Sequence, residues 1–168
     1  MVRHQRLQTA RQRFDQLDRA LTRWMARSGI LLLRVGLGVV FFWFGALKFV
    51  PDLSPAQDLA ARTIHMLTAG VIPASVGVLV LAIWECAIGL GLITGRFMRA
   101  VLLLLFVQML GTLTPLVLFP RETWQLAPFA PTLEGQYIIK NIVLVSAALV
   151  IGATVRGGYV LAEPGDCR

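Results

Sequence analysis

Charged residues and cysteines are scarce in this chain. Only 15% of its 168 residues are charged, whereas a soluble domain of this length has about 25%. The two cysteines, Cys86 and Cys167, match neither a CxxC motif nor a metal-ligand set. No metal site, disulfide or thiol-relay chemistry is therefore expected. The first 29 residues carry many charges and no continuous apolar stretch, so a cleaved signal peptide is not expected.

Long apolar runs are what the chain has in abundance. Hydrophobic residues make up 57% of the sequence, and the mean hydropathy is +0.71. Four runs have the roughly 20 residues that a helix needs to cross the hydrocarbon core. They cover residues 30–50, 71–93, 100–119 and 137–155. The pattern predicts an all-α integral membrane four-helix bundle, preceded by a basic amphipathic helix (1–29) and followed by a short tail (156–168).

The distribution of arginine predicts the orientation of these spans. The net charge is +7, and the short loop between the second and third spans carries Arg96 and Arg99. Cations favour the cytoplasmic side, so both termini are predicted to be cytoplasmic. A basic surface of this kind faces anionic lipid and argues against a nucleic-acid partner. Seven arginines precede the first span: Arg3, Arg6, Arg11, Arg13, Arg19, Arg23 and Arg27.

The N-terminal segment has an apolar stripe at helical spacing. Arginines and glutamines surround this stripe, which is typical of a helix lying in the headgroup region. The same stripe also suits a seam that docks a partner helix, so both interpretations stay open. Its members are Leu7, Ala10, Phe14, Leu17, Leu21 and Trp24.

The two longer loops, predicted to be on the outer side, also contain helix signals. Ser54, Pro55 and Gln57 have the order of an N-cap, a first-turn proline and a capping-box partner. They predict a short surface helix between the first two spans, on which His65 is an ordinary surface histidine or a proton exchanger. The proline-rich loop before the fourth span is predicted to be ordered, with Thr132 capping that span.

Two charges within the spans require an explanation. Glu85 is the one acidic residue well inside a span. An ionised residue there costs a few kcal/mol, so Glu85 must be protonated, paired with a cation or facing a water-filled cavity. Arg34 is the cation closest to it in predicted depth, which predicts an Arg34–Glu85 pair. Such a pair either belongs to a site or only fixes the helix register.

Both lysines of the chain, Lys48 and Lys140, lie near the predicted outer ends of their spans. Either could reach the headgroups by itself. Together, with Asn141 and Gln108, they predict a site for a carboxylate, an oxyanion, a lipid phosphate or a quinone oxygen. The face that leads from Arg34 to Lys48 also carries Gly38, Phe41 and Gly45. Its two glycines allow either a close helix approach or space for a ligand.

Three segments resemble the DoxX-like family of small bacterial membrane proteins. "LLLRVGLGVVFFWFGALKFVP" resembles their first helix, "IWECAIGLGLITGRFMR" their second, and "EGQYIIKNIVLVSAALVIGA" their last. The resemblance implies a four-helix bundle in the bacterial cytoplasmic membrane, with Arg34, Lys48, Glu85 and Lys140 as site residues. The family takes its name from proteins that resemble subunits of thiosulfate:quinone oxidoreductase, and other relatives resemble partners in oxidative-stress complexes. The long basic N-terminal helix is additional to the family pattern.

These observations lead to a functional hypothesis with two alternatives. The hypothesis is a polar site within the bundle that binds a quinone, an anionic lipid or a small anion, in a subunit or accessory of a membrane redox system. In it, the two lysines hold the ligand and Glu85 is a candidate proton carrier. If the chain is itself enzymatic, it is a quinone-linked oxidoreductase subunit.

The first alternative is a transporter or channel for a small anion or metabolite, although the chain has no visible repeat. The second is a scaffold whose N-terminal helix recruits a cytoplasmic protein. Membrane lipids, redox-complex subunits and a second copy of the chain are the partners compatible with these hypotheses.

Overall fold

A computed structural model describes residues 2–50, 53–54 and 57–158, with side chains from residue 14 onward. Pro55 and Cys167, which entered the sequence predictions, lie outside the described residues, as do the side chains of Leu7 and Ala10. The chain divides into two compact units, Met1–Leu33 and Arg34–Arg168.

The first unit is helical and belongs to α1 (Val2–Leu47). The apolar stripe predicted for this segment is exposed where its side chains are described, from Phe14 at 71% to Trp24 at 55%. Arg19, Arg23 and Arg27 are exposed as well. The segment therefore presents apolar and cationic side chains without burying either kind.

In the part of the chain that the structure describes, four helices are long and apolar enough to cross a membrane, as predicted. Only 17–39% of their most apolar windows is buried, so most of these apolar side chains need lipid as their solvent. The four candidate spans are Phe14–Leu47 in α1, Ala74–Thr94 (α3), Met98–Leu118 and Leu133–Thr154 (α7). The third span consists of α4 (Met98–Leu113) and α5 (Pro115–Leu118).

The core of the second unit lies between these spans. Its largest fully buried side chains are Ile88 and Leu92 of α3, Leu105 of α4 and Ile151 of α7. Leu37 and Phe41 of α1 pack into the same cluster. The predicted face of α1 is thus the face that the protein buries.

Three glycines bring α1 and α3 into backbone contact. A Cβ added to Gly89 of α3 would lie 2.5 Å from the Phe42 nitrogen and 2.7 Å from the Gly38 oxygen. A Cβ on Gly45 would lie 2.8 Å from the Glu85 Cβ. The glycines of this face therefore serve close helix approach, one of the two uses that the sequence left open.

The predicted short helix and the predicted cap are both present. α2 (Gln57–Leu67) lies between the first two spans. The segment between α5 and α7 forms α6 (Pro120–Thr123) and a hairpin of β1 (Trp124–Leu126) and β2 (Ala130–Pro131), which the sequence did not predict. Thr132 caps α7 by accepting a hydrogen bond from the Gly135 nitrogen at 3.2 Å. We call the end of the bundle that holds α2 and α6 the α2 end.

Candidate functional site

Three polar side chains meet near the α2 end, one from the turn that follows α1, one from α3 and one from α4. The Lys48 Nζ lies 2.6 Å from the Glu85 Oε2, and the Gln108 Nε2 donates to the Glu85 Oε1 at 2.8 Å. Glu85 is 9% exposed. We call these residues the carboxylate triad. Two charge-assisted contacts compensate the carboxylate, which would otherwise be costly to bury.

The helix packing places the triad. Gly45 lies one turn before Lys48 and lets α1 approach the α3 backbone at Glu85 and Cys86. On the other side, the Trp84 Nε1 donates to the Leu104 carbonyl oxygen of α4 at 3.2 Å. Gln108 follows Leu104 by one turn. The carboxylate of Glu85 is therefore held between α1 and α4, which both pack closely against α3.

A cavity of about 320 Å³ adjoins the triad, a volume within the range of small-ligand sites. Lys48, Glu85 and Gln108 all line it, and Thr63 and Thr112 add hydroxyl groups. The Gln108 Oε1 is buried and has no hydrogen-bond partner among the described residues. Apolar side chains form much of the remaining wall, among them Leu59, Ile64, Leu67, Leu81, Trp84 and Val107. The cavity thus combines an apolar wall with a polar group that has hydrogen-bonding capacity left.

Glu85 does not pair with Arg34, the partner that its predicted depth suggested. α1 and α3 run antiparallel, with Gly45 beside Glu85 and Gly38 beside Ile93. Arg34 consequently lies at the far end of α3, where its guanidinium contacts the left-handed Gly95 in the loop to α4. Its buried Nε has no hydrogen-bond partner among the described residues. Lys48, one turn beyond Gly45, takes the position beside the carboxylate.

Lys140 and Asn141 do not join the triad. Neither residue lines the cavity, and the side chain of Lys140 is exposed on α7. Its Nζ lies 5.4 Å from the centroid of the Tyr137 ring, a cation–π distance. The structure therefore does not bring the two lysines together around one ligand.

The sequence of the triad's helices matches a known family. A family model named DoxX matches residues 29–119, more than half of the 168 residues. The chain belongs to the DoxX family. With its four apolar helices, it is a multi-pass membrane protein. Comparisons with curated proteins and with solved structures gave no match.

The DoxX match contains the whole triad and ends before α7. Lys48, Glu85 and Gln108 lie within residues 29–119, whereas Lys140 and Asn141 lie beyond them. The match also contains α2 and α3, which supply much of the cavity wall. The part of the chain that shows the family thus supplies the triad and most of the cavity wall, to which α7 adds Ile138.

A second polar group of this DoxX-family protein lies outside the spans, where sequence reasoning missed it. Arg62 of α2 donates to both carboxylate oxygens of Glu122, at 2.8 and 2.5 Å. Its guanidinium also lies 5.1 Å from the centroid of the Phe119 ring. We call this the Arg62–Glu122 clasp. It borders a separate cavity of about 550 Å³, which Asp58 and Glu134 also line. In the sequence, Arg62 is the one arginine of the loop between the first two spans, and nothing near it identifies Glu122 as its partner.

The clasp predicts an acid-sensitive attachment of α2. Hydrogen bonds from Arg62 hold the pKa of Glu122 below its ordinary value, which is about 4.3. The clasp is therefore complete above that value and is lost as the pH falls through the lowered pKa. We expect the backbone amides of α2 to exchange hydrogen faster below about pH 4, after correction for intrinsic rates. The effect should be modest and screened by salt, because both side chains are about half exposed.

Glu122→Gln is the control for this prediction. Asp58 and Glu134 are further carboxylates that line the same cavity, so a change in pH alone does not isolate the clasp. The variant should show faster exchange in α2 already at neutral pH and a smaller acid step. An acid step of equal size in both proteins would assign it to the other carboxylates.

Proposed function

We propose that this DoxX-family protein binds a lipid-soluble molecule with a neutral polar head, of the quinone or quinol type, in the cavity beside the triad. The observation that carries the proposal is the combination of an apolar wall with Lys48, Glu85 and Gln108 in the same cavity. Small-ligand sites are typically built this way, with few polar groups that fix the orientation. The protein would act as a subunit or accessory of a membrane redox system.

The charge of the triad favours a neutral head over an anion. The ammonium of Lys48 is already paired with Glu85, so an anionic ligand would meet a carboxylate as well as a cation. A carbonyl or hydroxyl oxygen can still accept a hydrogen bond from Lys48. The free Oε1 of Gln108 can accept one from a hydroxyl group. In this proposal Lys48 and Gln108 hold the ligand, instead of the pair of Lys48 and Lys140 that the sequence predicted.

Further parts of the proposal concern proton transfer and topology. Glu85 would be the group that exchanges a proton with a bound quinol, since it is the carboxylate that lines the cavity. Any enzymatic activity would then be that of a quinone-linked oxidoreductase subunit.

The arginine distribution supports a bacterial cytoplasmic membrane location with both termini inside and the α2 end outside.

A second candidate function is a scaffold that acts through the N-terminal helix. Its support is the exposure of Phe14, Leu17, Leu21 and Trp24 among arginines. Such a face fits either an anionic lipid surface or a partner helix. Deleting residues 1–27 would abolish a cytoplasmic complex under this proposal and leave the cavity unchanged.

Filling the cavity tests ligand binding. A Cβ at Gly111, which lines the cavity, would have no neighbour within 4 Å. Gly111→Leu should therefore fold and occupy ligand space. We expect it to bind an alkylated benzoquinone at least about tenfold more weakly than the wild type, a loss of about 1.4 kcal/mol. Native mass spectrometry and a binding titration in detergent micelles measure this.

Gly36→Leu is the matched control, because Gly36 also has no neighbour within 4 Å and does not line the cavity. This variant should bind the quinone as the wild type does. Equal binding by all three proteins would contradict a quinone site in this cavity. An anion or phospholipid bound to the wild type and lost only in Gly111→Leu would keep the site and change the ligand class.

A further inference from the structure

We infer that the cavity exchanges its ligand sideways with the lipid phase, through a mouth between α2 and α4, while the Arg62–Glu122 clasp closes the side that faces water. The inference deepens the proposed function and rests on it for the nature of the ligand. The route itself follows from the cavity wall.

The exposed members of the wall mark the mouth. Leu67 at the end of α2 is 55% exposed and Val107 of α4 is 48% exposed. Gly111, one turn beyond Val107, leaves open space at the same edge. By contrast, Leu59 and Thr63, nearer the start of α2, are buried at 6% and 5% exposure. The cavity therefore opens where α2 ends and not where it begins.

The surface around the mouth is suited to lipid. Leu103 and Leu110 share a helical face of α4 with Val107, and both are strongly exposed. Such an apolar face on a candidate span requires hydrocarbon as its solvent. A ligand that leaves between Leu67 and Val107 therefore enters the bilayer, which limits the ligand to molecules that dissolve there.

The opposite side of α2 faces the polar cavity. Leu59 lines both cavities, so α2 is the wall between them. Arg62, on the polar side of that wall, is tied to Glu122 and lies over the ring of Phe119. This attachment links α2 to the segment before α7. On this inference, water and charged solutes reach the triad only when α2 is displaced.

Chemical labelling of a cysteine in the cavity tests the route without any natural ligand. Thr112→Cys places a thiol in the wall. The protein in liposomes is treated with either a maleimide on a long alkyl chain or a sulfonated maleimide present on both sides of the membrane. Peptide mass spectrometry reads the modification of residue 112, so the native cysteines stay in place. We expect the alkyl reagent to react at least about tenfold faster than the sulfonated reagent, relative to their rates with an exposed thiol.

Two tryptophan variants locate the mouth. Val107→Trp, added to Thr112→Cys, should slow the alkyl reagent several-fold because the ring narrows the opening. Leu110→Trp is the matched control, since Leu110 is exposed on the same helix and does not line the cavity. It should leave the rate unchanged. Equal slowing by both variants, or no slowing by either, would overturn a mouth at Val107.

The clasp is tested by the reagent that should be excluded. Glu122→Gln should raise the rate of the sulfonated maleimide at residue 112 several-fold, and high salt should do the same to a smaller degree in the parent. A sulfonated reagent that already reacts as fast as the alkyl reagent in the parent would overturn the inference. So would a Glu122→Gln rate equal to that of the parent. If labelling follows the expectation while Gly111→Leu still binds the quinone normally, the route stands and the proposed ligand fails.

Discussion

Replacing Lys48 with methionine is expected to destabilise the protein by about 3 kcal/mol, the range measured when one partner of a buried ion pair is removed. Methionine retains the length of the side chain and removes its charge. Among the described residues, the Glu85 carboxylate, 9% exposed, then keeps only the hydrogen bond from Gln108. Unfolding titrations in mixed detergent micelles measure the change in the free energy of unfolding.

Two further variants show whether the pair causes the loss. Glu85→Gln in the Lys48→Met background removes the unpaired charge and should restore most of the stability. Replacing both members of a buried ion pair by uncharged residues often changes the free energy of unfolding little. Lys140→Met is the matched control, since that lysine is exposed and lies at a cation–π distance from the Tyr137 ring. Its effect should be about 1 kcal/mol or less. A double variant no more stable than Lys48→Met would show that Lys48 acts through packing.

Gly89→Ala should have the second largest effect, a destabilisation of about 1–3 kcal/mol by overpacking. The new methyl group would meet the backbone of Phe42 and Gly38 at 2.5–2.7 Å. Backbone atoms of a packed helix cannot rotate out of the way, so α1 and α3 must separate. We expect Gly89→Ala to weaken the coupling between Lys48 and Glu85 as well, because the distance between these two side chains depends on the spacing of α1 and α3.

Gly36→Ala should have the opposite effect on the free energy of unfolding. Gly36 lies on the same helix as Gly38, and its Cβ would have no neighbour within 4 Å. Alanine there should stabilise the helix by about 0.5–1 kcal/mol through the loss of glycine's conformational freedom. A Gly89→Ala protein as stable as Gly36→Ala would contradict the close approach of α1 and α3. The coupling is measured by repeating the Lys48→Met and Glu85→Gln cycle in the Gly89→Ala background.

The sequence predicted the helices well because their signals are local. Runs of about 20 apolar residues identify spans wherever they occur, and all four candidate spans are present. The capping role of Thr132 likewise depends only on its own neighbours. The hairpin of β1 and β2 escaped prediction because each strand has only two or three residues, too few to show a period.

The contacts of the candidate site were predicted in part, and the sequence did not predict the register between the helices. Lys48, Glu85 and Gln108 were each selected from the sequence, but Glu85 was paired with Arg34 because the two had similar predicted depths. Contacts of Gly38, Gly45 and Gly89 fix how α1 slides along α3, and hydropathy carries no information on that offset. A register built on these glycines would have placed Lys48 beside Glu85.

The prediction for Lys140 and Asn141 failed because the sequence did not predict how α7 is rotated about its own axis. Lys140 has a depth suitable for the site, but α7 packs against α4 through a different face. Residues that share a depth meet only if their helices turn the right faces toward one another. Nothing in the spacing of Lys140, Asn141 and the core positions of α7 determined that rotation.

The order of the triad along the chain has a consequence for biosynthesis. Lys48 is synthesised 37 residues before Glu85, and Gln108 follows Glu85 by a further 23 residues. When the span that contains Glu85 leaves the ribosome, its counter-ion is already at the end of the preceding span. The close approach of α1 and α3 at Gly38, Gly45 and Gly89 would allow these two helices to associate as a hairpin before α4 has left the ribosome. The carboxylate would then enter the bilayer beside a cation that was made earlier, and Gln108 would add its hydrogen bond after α4 has followed.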